Sequence, residues 1–148
     1  MSGVRQTEET GARVREAASL SDLLAAAFDA FEVIRRFARA SEDLVPGLFA
    51  AFMATADAAV GGREAVTIAP SLPPGRSGAA AVTVATAGTG AEEITAALAA
   101  LGSLLSERLT LAAANAPTPG DRDACEEAAE AAQRIHHLMA GDGDGRLW

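Results

Sequence analysis

The chain has 148 residues and a net charge of -8, from 12 basic against 20 acidic side chains, which is one domain's worth of sequence with a surface that repels phosphate backbones. Alanine occurs 37 times, while Leu, Ile, Val and Phe together supply only 31 residues, so the expected domain is slim and helical, with few large core side chains. A lone cysteine, Cys125, excludes an intrachain disulfide and a cysteine metal site, and fits a cytoplasmic location.

Every basic residue is arginine, which together with the alanine and glycine load points to the codon bias of a GC-rich, bacterial genome. Residues 1–18 carry charges of both signs without the apolar run of a signal peptide and read as a flexible polar arm, with a helical extension conceivable from Ala12 to Ala18. The first strong helix is expected after Ser19 or Ser21, with Asp22 completing a capping box on Ser19. Leu20, Leu24, Ala27, Phe28, Phe31, Ile34 and Ala38 repeat at helical spacing and form its dry face.

After a tight connection, Asp43 and Pro46 are expected to open a second helix, with Leu48, Phe49, Phe52, Met53, Ala56 and Val60 facing inward and Gly61-Gly62 as its end. The most apolar run, between Gly47 and Gly62, is shorter than the roughly 20 residues that cross a bilayer, and no membrane association is expected. All five phenylalanines lie between Phe28 and Phe52, so the aromatic share of the core is assigned to this first pair of helices.

Residues 61–90 form a long crossover. It contains two β-favouring runs, Val66 to Ala69 and Ala81 to Ala85, on either side of Pro70 to Gly75, so it reads either as a small β-hairpin or as a mobile strap. A third helix is expected to open at Thr89-Gly90-Ala91-Glu92 and to stop at Asn115 and Pro117. Thr118-Pro119-Gly120-Asp121 then combines a cap, a first-turn proline and a first-turn acid, opening a fourth helix that ends near Gly141. The expected fold is all-α: an antiparallel four-helix bundle of two helical hairpins over residues 19–141, with residues 142–148 as a flexible tail.

Several residue sets bear on chemistry. His136 and His137 are adjacent, so on a helix they point about 100 degrees apart and do not share a metal; the Glu-x-x-His pairs of a bundle di-iron site are absent. Asp142-Gly143-Asp144-Gly145 resembles the opening of a calcium loop without its closing glutamate. Acids at 121, 123, 126 and 127 surround Cys125 and disfavour its thiolate. No cofactor, metal or catalytic constellation is implied.

Charge is unevenly placed. Arg35, Arg36 and Arg39 cluster on the first strong helix, in part pairing with Glu32, and Glu126, Glu127 and Glu130 form an acidic ridge on the last one. The two sets suit each other either within one chain or between two copies. The expected function is a non-catalytic helical interaction or oligomerisation module, its partner a second copy in a homodimer or another protein, with no nucleic acid. The alternative is a small ligand-binding or enzymatic bundle whose pocket lies between the Phe-rich hairpin and the third helix, with Asp57, Arg108 and His136 as its polar groups. A third reading is an acidic adaptor that occupies a basic site on a nucleic-acid-binding protein.

Overall fold

The computed structural model describes residues 2–74 and 89–141, and they are all-helical, with no strand among them. Five α-helices follow one another: α1 (Gly3–Glu16), α2 (Leu20–Ser41), α3 (Phe49–Thr67), α4 (Ala91–Ala114) and α5 (Pro119–Ala140), with a short 3-10 helix, Pro46–Leu48, leading into α3. In place of four helices, five close a ring in the order α1, α2, α3, α5, α4, each packed on its two neighbours, and α2 and α4 touch only slightly across the α1 position. The ring encloses Leu24, Phe31, Ile34, Phe37, Phe52, Leu98, Leu105 and Ile135, all fully buried. Each such side chain contributes about 1.5–3 kcal/mol through loss of contact with water.

Helix α1 replaces the expected polar arm. Ser2 caps it by accepting a hydrogen bond from the Arg5 N–H at 3.2 Å, and its inner face is Gly3, Gln6, Thr7, Thr10, Gly11 and Val14. Apolar periodicity is missing because small residues do the packing. Gly3 lies so close to the Phe37 ring that a Cβ there would overlap it. Thr7 satisfies its hydroxyl by donating to the Val4 carbonyl at 2.6 Å. A helix of this kind is buried by close approach, at low gain in apolar area.

The capping signals of α2 and α5 stand where the sequence places them. Ser19 Oγ accepts from the Asp22 N–H at 3.1 Å, Thr118 Oγ1 accepts from the Asp121 N–H at 3.1 Å, and Gly141 ends α5 in the left-handed conformation, with φ 73° and ψ 17°. For α4 the start shifts by one residue: Gly90 is the N-cap, and Glu93, rather than Glu92, accepts from the Gly90 N–H at 3.1 Å.

Helix α3 departs more. Asp43 caps no α-helix, and α3 runs through Gly61 and Gly62 to Thr67, turning Val66 and Thr67 into its last turn rather than a strand. Gly62 faces the Phe31 ring, and a Cβ would fall inside that ring's van der Waals envelope. The glycine is needed for close approach, not for a turn. The inner face of α3 is Phe52, Thr55, Ala56, Ala59, Gly62, Ala65 and Val66, whereas Phe49 and Met53, expected inside, are 41% and 44% exposed. The second β-favouring run, Ala81 to Ala85, and the 142–148 tail lie outside the described residues.

Ser71 joins three parts of the fold. Its carbonyl accepts from Ser21 Oγ at the start of α2 at 2.8 Å, and its N–H and hydroxyl donate to Asp121 at 2.9 and 2.7 Å. Asp121 is fully buried. Burial works against its charge, but the hydroxyl and N–H of Ser71 and the hydroxyl of Thr118 outweigh it and hold the carboxyl below its usual value. Asp121→Ala is expected to lower stability by about 2–3 kcal/mol in urea unfolding at pH 7, since charge-assisted bonds vanish and the half-buried Ser71 N–H and hydroxyl lose their acceptor; a loss under about 0.5 kcal/mol would refute this role.

Helix α4 is long and apolar enough to cross a membrane by length and composition, and 39% of its most apolar stretch is buried. Here it packs between α5 and α1. Its seam with α5 is set by Gly102, where a Cβ would come within 3.0 Å of the Ala132 carbonyl oxygen and the His136 nitrogen. Backbone meets backbone there, which alanine-rich helices permit.

Candidate functional site

The densest set of charges lies on the α2–α3 seam. Glu32 sits in mid-α2, 3% exposed, beneath three arginines. Arg35 donates to both of its oxygens through Nε at 3.2 Å and Nη2 at 2.6 Å. Arg36 Nε donates at 3.1 Å and Arg63 Nη1, from α3, at 2.6 Å. The Arg35 hydrogen bonds first, and those of Arg63 and Arg36 after them, overcome the cost of burial and hold the Glu32 carboxyl down at about 2. Arg35 is raised in turn by the same bonds.

Arg63 is the member that the sequence left out. It is the single basic residue between Arg39 and Arg76, but only the pairing of α3 with α2 brings it to Glu32. Among the described residues, three guanidiniums share this one carboxylate, so positive charge is in excess at the seam. Arg39, further along α2, pairs with Glu42 at 3.3 Å and stays largely exposed.

Beside this basic set lies an apolar one. Leu44, Val45, Phe49 and Met53 are each about two-fifths exposed and gather around the 3-10 helix and the first turns of α3. Contacts of Ser21 with Ser71, Phe31 with Gly62 and Glu32 with Arg63 show α3 running back along α2, which brings Met53 level with the Arg39 turn. Exposed large apolar side chains grouped in this way mark a contact surface more often than isolated ones do.

On α5, Glu126, Glu127 and Glu130 are exposed. Among the described residues no ion pair joins them to Arg35, Arg36 or Arg39, and α2 and α5 do not touch, because α3 lies between them. Docking of the two sets within one chain is therefore ruled out by the ring order. Glu126 and Glu130 instead border an open groove between α4 and α5 of about 550 Å³, whose floor includes Ala113 and Ala129 and whose edge includes Ser106 and Thr110.

The alternative polar trio does not assemble. Asp57 points to solvent from α3. Arg108 donates to the Ala17 carbonyl at 2.8 Å, closing the C-terminal end of α1. His136 pairs its Nδ1 with the Ala99 carbonyl at 3.2 Å across the α4–α5 seam. Most of the place expected to hold a pocket, between the Phe-rich helices and α4, is taken by α1; a cavity of about 270 Å³ remains between the start of α2 and the end of α4, with Leu20, Leu23, Arg108 and Leu111 on its walls and neither Asp57 nor His136 among them. His137 is exposed and meets Gln133 Nε2 at 2.9 Å.

Cys125 is fully buried; burial first, and the Asp121 charge second, push its thiol up to about 11. No group of three His, Cys, Asp or Glu side chains that could hold a metal occurs among the described residues. An open groove of about 410 Å³ lies between α1 and α4, with Val4, Gly11, Leu101 and Leu104 among its apolar walls and Thr7, Glu8, Arg15 and Glu93 also lining it. No family model, curated protein or solved structure matches the chain.

Proposed function

We propose that the protein is a non-catalytic helical interaction or oligomerisation module of the bacterial cytosol, two antiparallel hairpins (α2–α3 and α4–α5) with α1 laid between α2 and α4. The observation that carries this reading is a pair of oppositely charged faces, one of them with exposed Leu44, Val45, Phe49 and Met53, that the chain does not join to each other. A second copy is the partner that supplies both faces, with a homodimer as the first product. Association also adds apolar burial to a core rich in alanine. The scattered positions of Asp57, Arg108 and His136 weaken the enzymatic alternative.

Size exclusion with light scattering over a rising concentration series tests the reading. A mass that climbs above the 15.0 kDa of one chain supports it, and a strict monomer at millimolar concentration overturns the self-association. Stabilisation by a defined metabolite that is lost in Asp57→Ala or His136→Ala would favour the enzymatic alternative.

A further inference from the structure

Resting on the self-association just proposed, we infer that the α2–α3 face receives the α4–α5 groove of a second copy, head to tail, so that assembly continues past a dimer rather than ending in a closed two-fold pair. The two faces match in charge and in relief. One has Arg35, Arg36, Arg63 and Arg39 beside protruding Phe49 and Met53. The other has Glu126 and Glu130 along a groove floored by Ala113 and Ala129, with room of about 550 Å³ for a large side chain.

Glu126 and Glu130 stand one helical turn apart on one face of α5, a spacing that presents two carboxylates to a row of guanidiniums. Arginine is suited to that role because its planar fork holds carboxylates in a fixed geometry. Glu32 already fixes the Arg35, Arg36 and Arg63 guanidiniums, so less side-chain freedom is lost on docking. The net charge of -8 does not forbid the contact, because salt at physiological strength screens charges beyond about 8 Å and leaves the facing surfaces to decide.

The mode follows from the ring order. A two-fold pair needs both faces within one self-complementary patch. Here α3 separates α2 from α5 on one side of the ring, and α1 and α4 separate them on the other, so basic and acidic faces look in different directions. Each added copy leaves one face of each kind free unless the series closes into a ring.

The test uses two full-length variants altered only at exposed positions. Arg39→Ser with Met53→Ser disables the first face without giving it a charge that the second variant could pair with, and Glu126→Arg with Glu130→Arg disables the second; circular dichroism checks that both remain helical. Wild-type protein is expected to form a concentration-dependent series that passes beyond a dimer. Each variant alone is expected to be monomeric, and an equimolar mixture to stop at about 30 kDa, twice the 15.0 kDa chain, because each partner retains one working face. A wild-type series that ends at a dimer overturns the head-to-tail mode, as do variants that associate like wild type or a mixture that stays monomeric. A wild type that is monomeric throughout overturns the proposed self-association together with this mode, whereas the other failures leave that reading standing.

Discussion

Phe31→Ala is expected to lower stability by about 3–5 kcal/mol and, beyond that, to change what Gly62 tolerates. The Phe31 ring is fully buried against Gly62 of α3, where a methyl group would overlap it. In the wild-type background Gly62→Ala should therefore destabilise by about 1–3 kcal/mol, through a displaced ring or a separated helix pair. With Phe31 already cut back to alanine, the added methyl enters vacated space, and the helix-forming advantage of alanine over glycine, up to about 1 kcal/mol, becomes visible. At Gly61, one residue earlier, an added methyl would meet nothing within 4 Å, so Gly61→Ala should stabilise by about 0.5–1 kcal/mol in either background. Urea unfolding of the four members of the cycle measures the coupling; equal costs for Gly62→Ala with and without Phe31 would show that the ring is not what the glycine accommodates.

The second large effect belongs to Glu32. Glu32→Gln leaves Arg35, Arg36 and Arg63 crowded together without the carboxylate that holds them, and is expected to cost about 3 kcal/mol at pH 7. The wild-type carboxyl ionises at about 2 in the folded protein against 4.5 ordinarily. A folded value that is depressed stabilises above the unfolded value, and the contribution disappears as pH falls from about 5 toward 2. Its size is on the order of 2–3 kcal/mol, the lower end reflecting water that reaches Arg36. The gap between wild type and Glu32→Gln should therefore narrow by roughly 2 kcal/mol between pH 7 and pH 3, followed by denaturant titration at both. An unchanged gap would remove the ion network as its source.

What the sequence made legible was the chemistry of helix ends. Ser19, Thr118 and Gly141 act through local bonds to the backbone of their own helix, and such bonds are encoded within a few residues. What it concealed depends on neighbours. Gly61-Gly62 reads as a stop signal because glycine is common beyond helix ends, yet only Gly141 among the described residues has positive φ. The phase of α3 is legible only in part for a related reason: Phe52 and Ala56 face inward as expected, with Ala59 beside them, but the ring leaves Phe49 and Met53, which look inward by hydrophobicity, exposed. Of helix α1 only the last turn, from Ala12, carries a helical signal in the sequence, since the glycines and threonines of its inner face have no apolar period. Of the candidate site, Arg35, Arg36 and their bond to Glu32 lie within one helix and were visible; Arg63 required knowledge of which turn of α3 passes Glu32.

The three close seams of the ring differ in how they could change over generations. At Gly3 and Gly62 the obstacle is the side chain of Phe37 or Phe31, so a smaller partner would admit a larger residue, and these positions should drift as coupled pairs. At Gly102 the obstacle is the backbone of α5, at Ala132 and His136, and no exchange of side chains removes a carbonyl oxygen or a peptide nitrogen. Variation among descendants of this chain would therefore accumulate by paired steps around α2, while the α4–α5 crossing keeps its glycine or loses its spacing.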